Sequence, residues 1–201
     1  MLYKYIVPII LAIFLTGFTA NSLKAKENKE FLDNYIDNSQ IFVKSETVNE
    51  FQYDDIQTKL LMTAYKEIGN IGGEKYWSWY GFNGPTAWCC CFVSWCADHC
   101  GLIEKGIIPK FASVSQGYNW FASKGLIQNS SIIPSTGMIA FFDYPEDDGG
   151  TAGFLDHVGI VKCVKDGYIY VIEGNYNNVC AENKYAIGNN MIVAYATPDY
   201  E

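Results

Sequence analysis

An almost unbroken apolar stretch, Ala87–Cys100, lies near the middle of the chain and reads A-W-C-C-C-F-V-S-W-C-A-D-H-C. A segment of this length without a polar face is typical of a buried helix, and Gly101 provides a common C-terminal stop. Thr86 is the candidate N-cap at its start. The pattern predicts that Cys89 lies in the first turn of a central helix, where the helix dipole and the unpaired amide groups favour a thiolate.

Two further helices are predicted on either side of this one. Asp54–Gly69 carries its apolar residues on one face, with Asp54 or Asp55 as the cap. Ser113–Lys124 is a shorter helix that ends before a glycine. The stretch over 71–85 is dense in glycine and aromatic residues and is predicted to be irregular. Its aromatic side chains cover the core or, alternatively, line a cleft beside the central helix.

Strands are predicted in the second half of the chain. Gly137–Asp143 contains a continuous apolar run, which indicates a buried strand. Asp156–Lys165 and Tyr168–Glu173 flank Asp166–Gly167, and this dipeptide between apolar runs predicts a β-hairpin. Met191–Ala196 is the final predicted strand. Helices come first and antiparallel strands second, so we expect an α+β fold with one layer of helices on a sheet.

The chain is predicted to have three parts. Residues 1–25 combine a short lysine-bearing start with an apolar run, which is typical of a secretory signal peptide. An uncleaved membrane anchor is the alternative, because the run is of marginal length for a membrane span. Residues 26–52 are polar and without period, which indicates a linker, and residues 53–201 are enough for one domain. We therefore expect a secreted or cell-wall-associated protein. In the alternative, an uncleaved N-terminal segment anchors it to the membrane.

The charge narrows the classes of partner. The 201 residues carry a net charge of −8 and no run of basic residues. Binding to nucleic acid requires an excess of lysine and arginine that neutralises phosphates, so a nucleic-acid partner is excluded. We expect a monomer.

The pattern of cysteine and histidine predicts thiol catalysis. A cysteine nucleophile requires a base and a group that orients the base, and the chain has only two histidines. His99 lies on the same helix as Cys89, about 15 Å away along its axis, which is too far. His157 opens a predicted strand and is the remaining candidate. The hairpin brings Glu173 close to His157, and either Glu173 or Asn175 is placed to accept a hydrogen bond from Nδ1.

Simpler interpretations remain open on the residues alone. Cys89 is expected to pack as a buried thiol if it follows the habit of most cysteines, and the three adjacent cysteines would also suit a disulfide or metal cluster. His157 is alternatively an ordinary edge-strand histidine. Glu173 is alternatively an exposed carboxylate at the end of a strand.

Three segments, A-W-C-C-C-F-V-S-W, D-H-V-G-I-V and I-E-G-N, resemble in this order the CHAP domain, the cysteine, histidine-dependent amidohydrolase/peptidase family of the papain-like class. The resemblance covers roughly Tyr53–Glu201. It implies a papain-like fold and a peptidoglycan hydrolase that cleaves amide bonds of the cell wall. It also implies that Cys89 is the nucleophile, His157 the base, Glu173 the orienting acid and Asn175 an accessory polar group. No cofactor and no metal are expected.

The chain departs from the family pattern at two places. The family commonly has P-x-x-G-D before its first strand, whereas Pro134–Met138 reads P-S-T-G-M. Met138 removes a polar turn residue and is expected to loosen that corner without touching the catalytic residues. Cys90 and Cys91 stand where small residues are usual, which raises the risk of oxidation.

The acidic residues and the cysteines raise two separate points, calcium binding and disulfide pairing. Asp143–Asp148 is an acidic segment that has the ligand chemistry of a calcium site, but we expect a solvated loop. Five of the seven cysteines share one predicted helix, where mutual bridging has poor geometry. Cys163 and Cys180 are the candidates for a pairing across strands, and mostly free thiols are expected.

Two rival functions stay open. A non-catalytic wall-binding or interaction module on the same scaffold is one, and the intact set of cysteine, histidine and glutamate argues against it. A transglutaminase-like acyl-transfer enzyme is the other, since transfer and hydrolysis differ only in which acceptor meets the acyl-enzyme. The sequence also leaves open which wall bond is cut, the muramoyl–L-alanine amide or a peptide bond of the stem or cross-bridge.

Overall fold

Helices precede strands in the computed structural model, which describes residues 55–145 and 154–201. Both ranges belong to the unit Glu50–Glu201. In these ranges the helices are α1 Ile56–Tyr65, α2 Glu74–Tyr80, α3 Cys89–His99 and α4 Val114–Ser123. The strands are β1 Ile127–Asn129, β2 Ile139–Phe142, β3 His157–Lys165, β4 Tyr168–Tyr176, β5 Val179–Ala186 and β6 Ile192–Ala196.

The six strands form one antiparallel sheet in the order β1-β6-β2-β3-β4-β5. Helix α3 contacts strands β3 and β4 of this sheet, and helix α1 contacts β3. The predicted α+β, papain-like fold, with N-terminal helices on a C-terminal antiparallel sheet, is confirmed.

The central helix α3 forms where the apolar stretch predicts it, and its residues 89–97 are all buried. Its start differs from the prediction: Trp88, not Thr86, is the N-cap residue, and the Phe92 amide makes the first helical bond to the Trp88 carbonyl at 2.8 Å. Trp88 provides no side-chain cap. The end is as predicted, since Gly101 has a φ of +74°. The Leu102 amide then bonds back to the Ala97 carbonyl at 2.9 Å, which completes a Schellman motif.

Helix α1 is shorter than its sequence pattern. Asp55 caps it, and its carboxylate accepts a hydrogen bond from the Thr58 amide at 2.7 Å. The helix ends at Tyr65, and turns continue the chain to Gly69, whose amide donates to the Cys180 carbonyl on β5. The last predicted turn is therefore used to join the helix to the sheet.

The prediction of an irregular segment over 71–85 is wrong, because α2 occupies its middle. Gly73 directly precedes α2 with a φ of +62°, and any Cβ there would clash with the Trp88 ring. Tyr76 is buried and stacks on Trp88, with ring centroids 5.1 Å apart. Tertiary packing of aromatic side chains outweighs the glycine-rich local sequence here.

Two hairpins organise the second half of the sheet. The predicted turn at Asp166–Gly167 is confirmed, with φ values of +52° and +80° as a type I′ turn requires. The strand β5 had not been predicted. It follows β4 through Asn177 and Asn178, which both adopt positive φ. Asparagine tolerates this conformation, although it is a weaker signal than Asn-Gly.

The sheet is buried on both faces around the centre of β4. A Cβ at Gly174 would meet Phe92 of α3, so Gly174 faces the helices. Because strand side chains alternate, Val171 and Glu173 point to the opposite face. A second apolar cluster lies there, formed by Ala140, Phe142, Val161, Ile169, Val171, Tyr185, Ile192 and Tyr195.

The predicted pairing of Cys163 with Cys180 is wrong, and all seven cysteines are free. Cys163 lies on β3 and Cys180 on β5, with β4 between them. Two strand spacings amount to about 10 Å, which is beyond the reach of a disulfide.

Within the described ranges, no helix combines the length and the apolar character needed to cross a membrane. Residues 1–25 and 26–52 lie outside those ranges. The signal peptide or anchor and the linker therefore stay predictions.

Candidate active site

Three of the predicted site residues converge where the start of α3 meets the sheet. Cys89 is the first residue of α3 and is 4% exposed. His157 is the first residue of β3 and is 6% exposed, and Glu173 on β4 is completely buried. The first turn of a helix leaves backbone amide groups without helical partners, so these groups and the positive end of the helix dipole surround the Cys89 thiol.

His157 links the other two side chains. Its Nε2 lies 2.9 Å from Glu173 Oε2, and interaction with the Cys89 thiol raises the pKa of the ring. Since Nε2 is engaged by Glu173, Nδ1 is the nitrogen available to Cys89. The prediction that the acid binds Nδ1 is therefore wrong: the strand register sets which residues meet, but the side-chain torsions decide which nitrogen faces which partner.

Electrostatics favour charge separation between Cys89 and His157. Hydrogen bonds from the Cys90 thiol and then from His157 hold the pKa of Cys89 well below its ordinary value, against the opposing effect of burial. Burial likewise disfavours a charged His157, but hydrogen bonds to Cys89 and Glu173 outweigh it and raise the pKa of His157 to about 10. Both shifts therefore favour a thiolate on Cys89 beside an imidazolium on His157.

The other six cysteines behave in the opposite way. Hydrogen bonding to Cys89, followed by burial, raises the pKa of Cys90, whose sulfur lies 4.0 Å from that of Cys89. Burial raises the pKa of Cys91 to about 11 and that of Cys180 to about 12. Burial also raises the pKa values of Cys96, Cys100 and Cys163. The thiol at the start of α3 is therefore set apart from the structural cysteines.

Asn175 does not join this arrangement. It is half-buried, has a φ of +63° and lies in a β-bulge between Glu173 and Tyr176. Among the described residues it makes no hydrogen bond with His157 or Glu173. Its accessory role stays a prediction, and the structure assigns it a backbone role in the bulge.

Three side chains around Glu173 were missed by the sequence analysis. The Tyr144 hydroxyl lies 3.0 Å from Oε2, the Tyr185 hydroxyl 2.9 Å from Oε1, and Asn183 Nδ2 3.3 Å from Oε1. Tyr185 and Asn183 belong to β5, which was not predicted. Tyr144 is one of 15 tyrosines, and no local pattern distinguishes it.

Two glycines in the quoted segments make room for the site. A Cβ at Gly159 in H-V-G would lie 2.7 Å from Glu173 Cγ and 2.6 Å from a Val171 methyl group. A Cβ at Gly174 in E-G-N would clash with Phe92 of α3. These short segments therefore contain glycines needed for close packing as well as the candidate catalytic side chains.

The corner at Pro134–Met138 is held by local hydrogen bonds although its sequence departs from the family pattern. The Met138 amide bonds to the Ser135 carbonyl at 3.2 Å, and the Met138 sulfur accepts from the Ser135 amide at 3.3 Å. Met138 also packs against the apolar cluster of the sheet. The thioether thus replaces the missing polar group in part.

No group of three or more metal-ligating side chains is arranged for a metal ion in residues 55–145 and 154–201. Of the acidic segment Asp143–Asp148, residues 146–148 lie outside these ranges. Both interpretations of that segment stay predictions.

Comparisons with known proteins support the family resemblance. The sequence model of the CHAP domain family matches residues 79–175, a range that includes Cys89, His157, Glu173 and Asn175. No curated protein matches the chain significantly.

Two solved structures are similar: "The crystal structure of Ly7917" at 20% identity and a TM-score of 0.45, and "The crystal structure of Ly7917 with the hydrolyzing product of MDP" at 18% and 0.44. Each alignment covers 71% of this chain and 62% of that chain, so this chain spans less than two thirds of their length. The sequence match carries the comparison: residues 79–175 of this chain are similar to the CHAP domain family.

Proposed function

We propose that this protein is a peptidoglycan hydrolase that cleaves an amide bond of the bacterial cell wall through a cysteine thiolate. The observation that carries the proposal is the chain of contacts from Cys89 to His157 and from His157 Nε2 to Glu173 Oε2 at 2.9 Å. The similarity of residues 79–175 to the CHAP domain family supports the choice of an amide substrate.

In the first half of the reaction, the Cys89 thiolate attacks the carbonyl carbon of the scissile amide. The carbonyl oxygen becomes negatively charged, and the unpaired backbone amides at the start of α3 are the donors available to stabilise it. The His157 imidazolium gives its Nδ1 proton to the leaving nitrogen. The C–N bond then breaks, which releases an amine and leaves a thioester on Cys89.

In the second half, neutral His157 takes a proton from water as the water oxygen attacks the thioester carbonyl. Collapse of this intermediate breaks the C–S bond and releases a carboxylic acid. Cys89 returns as the thiolate and His157 as the imidazolium. Glu173 remains in place throughout and stabilises the positive charge on His157.

The location follows the sequence prediction. We infer that residues 1–25 direct the protein across the membrane as a cleaved signal or hold it there as an anchor. The substrate lies outside the membrane, so either outcome brings the domain to the wall.

The test is digestion of purified peptidoglycan by the full chain, with the new termini identified by mass spectrometry. A muramic acid carboxyl group with a free L-alanine amine indicates an amidase, whereas new termini within the stem or cross-bridge indicate an endopeptidase. The Cys89→Ala variant is the inactive control, and Cys91→Ala is the matched control from the same helix turn.

The same digestion separates the rivals. Binding without new termini would support the wall-binding module. Addition of a primary amine that appears on the product would support acyl transfer. An equal yield of termini from wild type and Cys89→Ala would contradict the thiol mechanism.

A further inference from the structure

Glu173 is a fully buried carboxylate with hydrogen bonds to both oxygens. Oε2 accepts from His157 Nε2 at 2.9 Å and from the Tyr144 hydroxyl at 3.0 Å. Oε1 accepts from the Tyr185 hydroxyl at 2.9 Å and from Asn183 Nδ2 at 3.3 Å. Burial of a carboxylate is costly unless such donors replace water, so the two tyrosines contribute to holding this group inside the protein.

The two tyrosines also contact each other. Their hydroxyl oxygens lie 2.8 Å apart. The tyrosines and Glu173 thus form a triangle of three short oxygen contacts, but two phenols supply only two protons. If Tyr144 donates to Tyr185, Tyr185 donates to Oε1; if Tyr185 donates to Tyr144, Tyr144 donates to Oε2. In each of these arrangements Glu173 keeps a phenol donor.

Both phenols keep their protons under working conditions. Burial first, and then the charge of Glu173, raise the pKa values of Tyr144 and Tyr185 above their ordinary range. The carboxylate therefore always keeps at least one protonated phenol as a donor.

Tyr144 also contacts the base directly. Its ring centroid lies 5.1 Å from that of His157, and its other neighbour is Phe142 at 5.6 Å, which stacks on it. The Tyr144 amide donates to Asp156 Oδ1 at 3.1 Å, and Asp156 directly precedes His157 in the chain. The residue thus touches the imidazole, the carboxylate and the backbone that leads into β3.

We propose that Tyr144 and Tyr185 are positioning residues of this site, whose hydroxyl groups hold Glu173 in line with His157 Nε2 and draw off part of the carboxylate charge. The assignment rests on the proposed function for its effect on turnover, and on geometry alone for its effect on the histidine. Asn183 supports the same carboxylate more weakly, at 3.3 Å.

The sign of the effect follows from electrostatics. A carboxylate with fewer donors keeps more charge for its remaining partner and holds an imidazolium more tightly. Loss of a phenol donor should make His157 a weaker acid and should stabilise the Cys89 thiolate further. The histidine then protonates the leaving amine more slowly, so turnover falls although the ion pair becomes stronger.

The titratable groups around His157 and Glu173 come from several elements. They are Cys89 and Cys90 on α3, Tyr144 after β2, Asp156 before β3, and Cys180 and Tyr185 on β5. Substitution of a phenol by phenylalanine changes one of them while the others stay in place.

Tyr195 provides a matched control. It lies in the same apolar cluster as Tyr185 and is completely buried. Its hydroxyl group makes no hydrogen bond in the part of the chain that the structure describes. Tyr195→Phe therefore removes an equivalent atom from the same core without removing a donor to Glu173.

The experiment compares wild type with Tyr144→Phe, Tyr185→Phe and Tyr195→Phe in the full chain. The first measurement is the rate of Cys89 alkylation by iodoacetamide against pH, which needs no substrate. The second is kcat and KM for release of new termini from solubilised peptidoglycan. For Tyr144→Phe we expect the acid limb of alkylation to move to lower pH by about half a unit. We expect kcat to fall about tenfold with KM unchanged.

Tyr185→Phe should change both measurements in the same direction, and Tyr195→Phe should change neither. The proposal is overturned if the alkylation profiles of all three variants superimpose on wild type. It is also overturned if the acid limb moves to higher pH, which is the result expected if the substitution only disordered the site. If wild type cleaves no peptidoglycan but the alkylation shift appears, the proposed function fails and the positioning role stands. If Tyr144→Phe does not fold, Tyr185→Phe decides the matter by the same criteria.

Discussion

His157 presents Nε2 to Glu173 Oε2 at 2.9 Å and leaves Nδ1 for Cys89. The Glu173 carboxylate and the Cys89 thiol therefore lie on opposite sides of one imidazole. A proton taken from the thiol stays on the histidine because the carboxylate stabilises the resulting charge.

Replacement of Cys89 by alanine should lower the rate of wall cleavage about 1,000-fold or more, because no other thiol has a lowered pKa. Cys91→Ala should keep most of the activity. The activity of Cys90→Ala is predicted to lie between the activities of these two variants. Loss of the Cys90 thiol raises the pKa of Cys89, so activity falls at low pH and recovers as pH rises. Release of new termini from peptidoglycan at pH 5.5 and pH 8 is the measurement. Equal losses in all three variants would indicate a structural cluster.

Replacement of His157 by alanine should abolish turnover, whereas His99→Ala should not. His99 lies at the far end of α3, where its Nδ1 is 2.9 Å from the Trp95 carbonyl and its ring packs on Trp95. The loss for His157→Ala is expected to be about 100-fold or more. Initial cleavage rates, with circular dichroism as the check on folding, compare the two variants. Retained activity in His157→Ala would remove the assignment of the base.

The thiols should react selectively with iodoacetamide. At pH 6 we expect modification of Cys89 alone, because its pKa is lowered while the pKa values of the other six are raised. Peptide mapping by mass spectrometry identifies the modified site. Preferential modification of any other cysteine at this pH would contradict the charge assignment.

Activity should follow a bell-shaped dependence on pH. The acid limb reports protonation of Cys89 and should lie well below the ordinary thiol value, while the alkaline limb reports deprotonation of His157 near pH 10. The raised pKa of His157 also makes stability depend on pH. The contribution of protonated His157 to the free energy of unfolding is full below about pH 6.5 and is lost as pH rises through about 10. Urea unfolding between pH 6 and pH 10.5 measures this loss. An alkaline limb of activity near pH 7 would contradict the pairing with Glu173.

Glu173→Gln should reduce turnover much more than stability. Glutamine keeps the size and one acceptor oxygen but loses the charge that stabilises the imidazolium, so the pKa of His157 falls and that of Cys89 rises. We expect a loss of about 100-fold in kcat and a fall of about 1–3 kcal/mol in the free energy of unfolding. Glu182→Gln is the matched control, since Glu182 lies on the neighbouring strand β5 and pairs with Lys162 of β3 at 2.8 Å. Superimposable alkylation profiles for wild type and Glu173→Gln would separate Glu173 from the pair and return the orienting role to Asn175.

Chelation should leave cleavage unchanged. The proposed mechanism uses a thiolate and an imidazolium and requires no metal. The measurement is the cleavage rate after dialysis against EDTA, with and without added calcium. A loss that calcium restores would point to the acidic segment Asp143–Asp148.

The parts of the fold that sequence could predict have local signals. Gly101 ends α3 through a positive φ, and Asp166–Gly167 forms the predicted turn between β3 and β4. That turn sets the pairing at the end of the hairpin, and a β-bulge between Val161 and Cys163 then shifts the pairing by one residue, which puts Glu173 on the same face of the sheet as His157. Local signals therefore predict the turn but not the bulge that completes the site.

The parts that were missed depend on tertiary contacts. Helix α2 is held by Tyr76 against Trp88, a contact between residues twelve positions apart. Tyr144 and Tyr185 meet Glu173 only because β2, β4 and β5 come together in one sheet region. The choice of Nε2 rather than Nδ1 depends on side-chain torsions, which strand pairing leaves open.

Gly174 has a consequence for how the site tolerates change. It faces Phe92 so closely that α3 and β4 meet with only a hydrogen atom between the backbone of one and the ring of the other. A methyl group at this position would act as a wedge and would drive the helix that carries Cys89 away from the strands that carry His157 and Glu173. The distance between the Cys89 thiol and the His157 ring thus depends on a residue that has no side chain of its own.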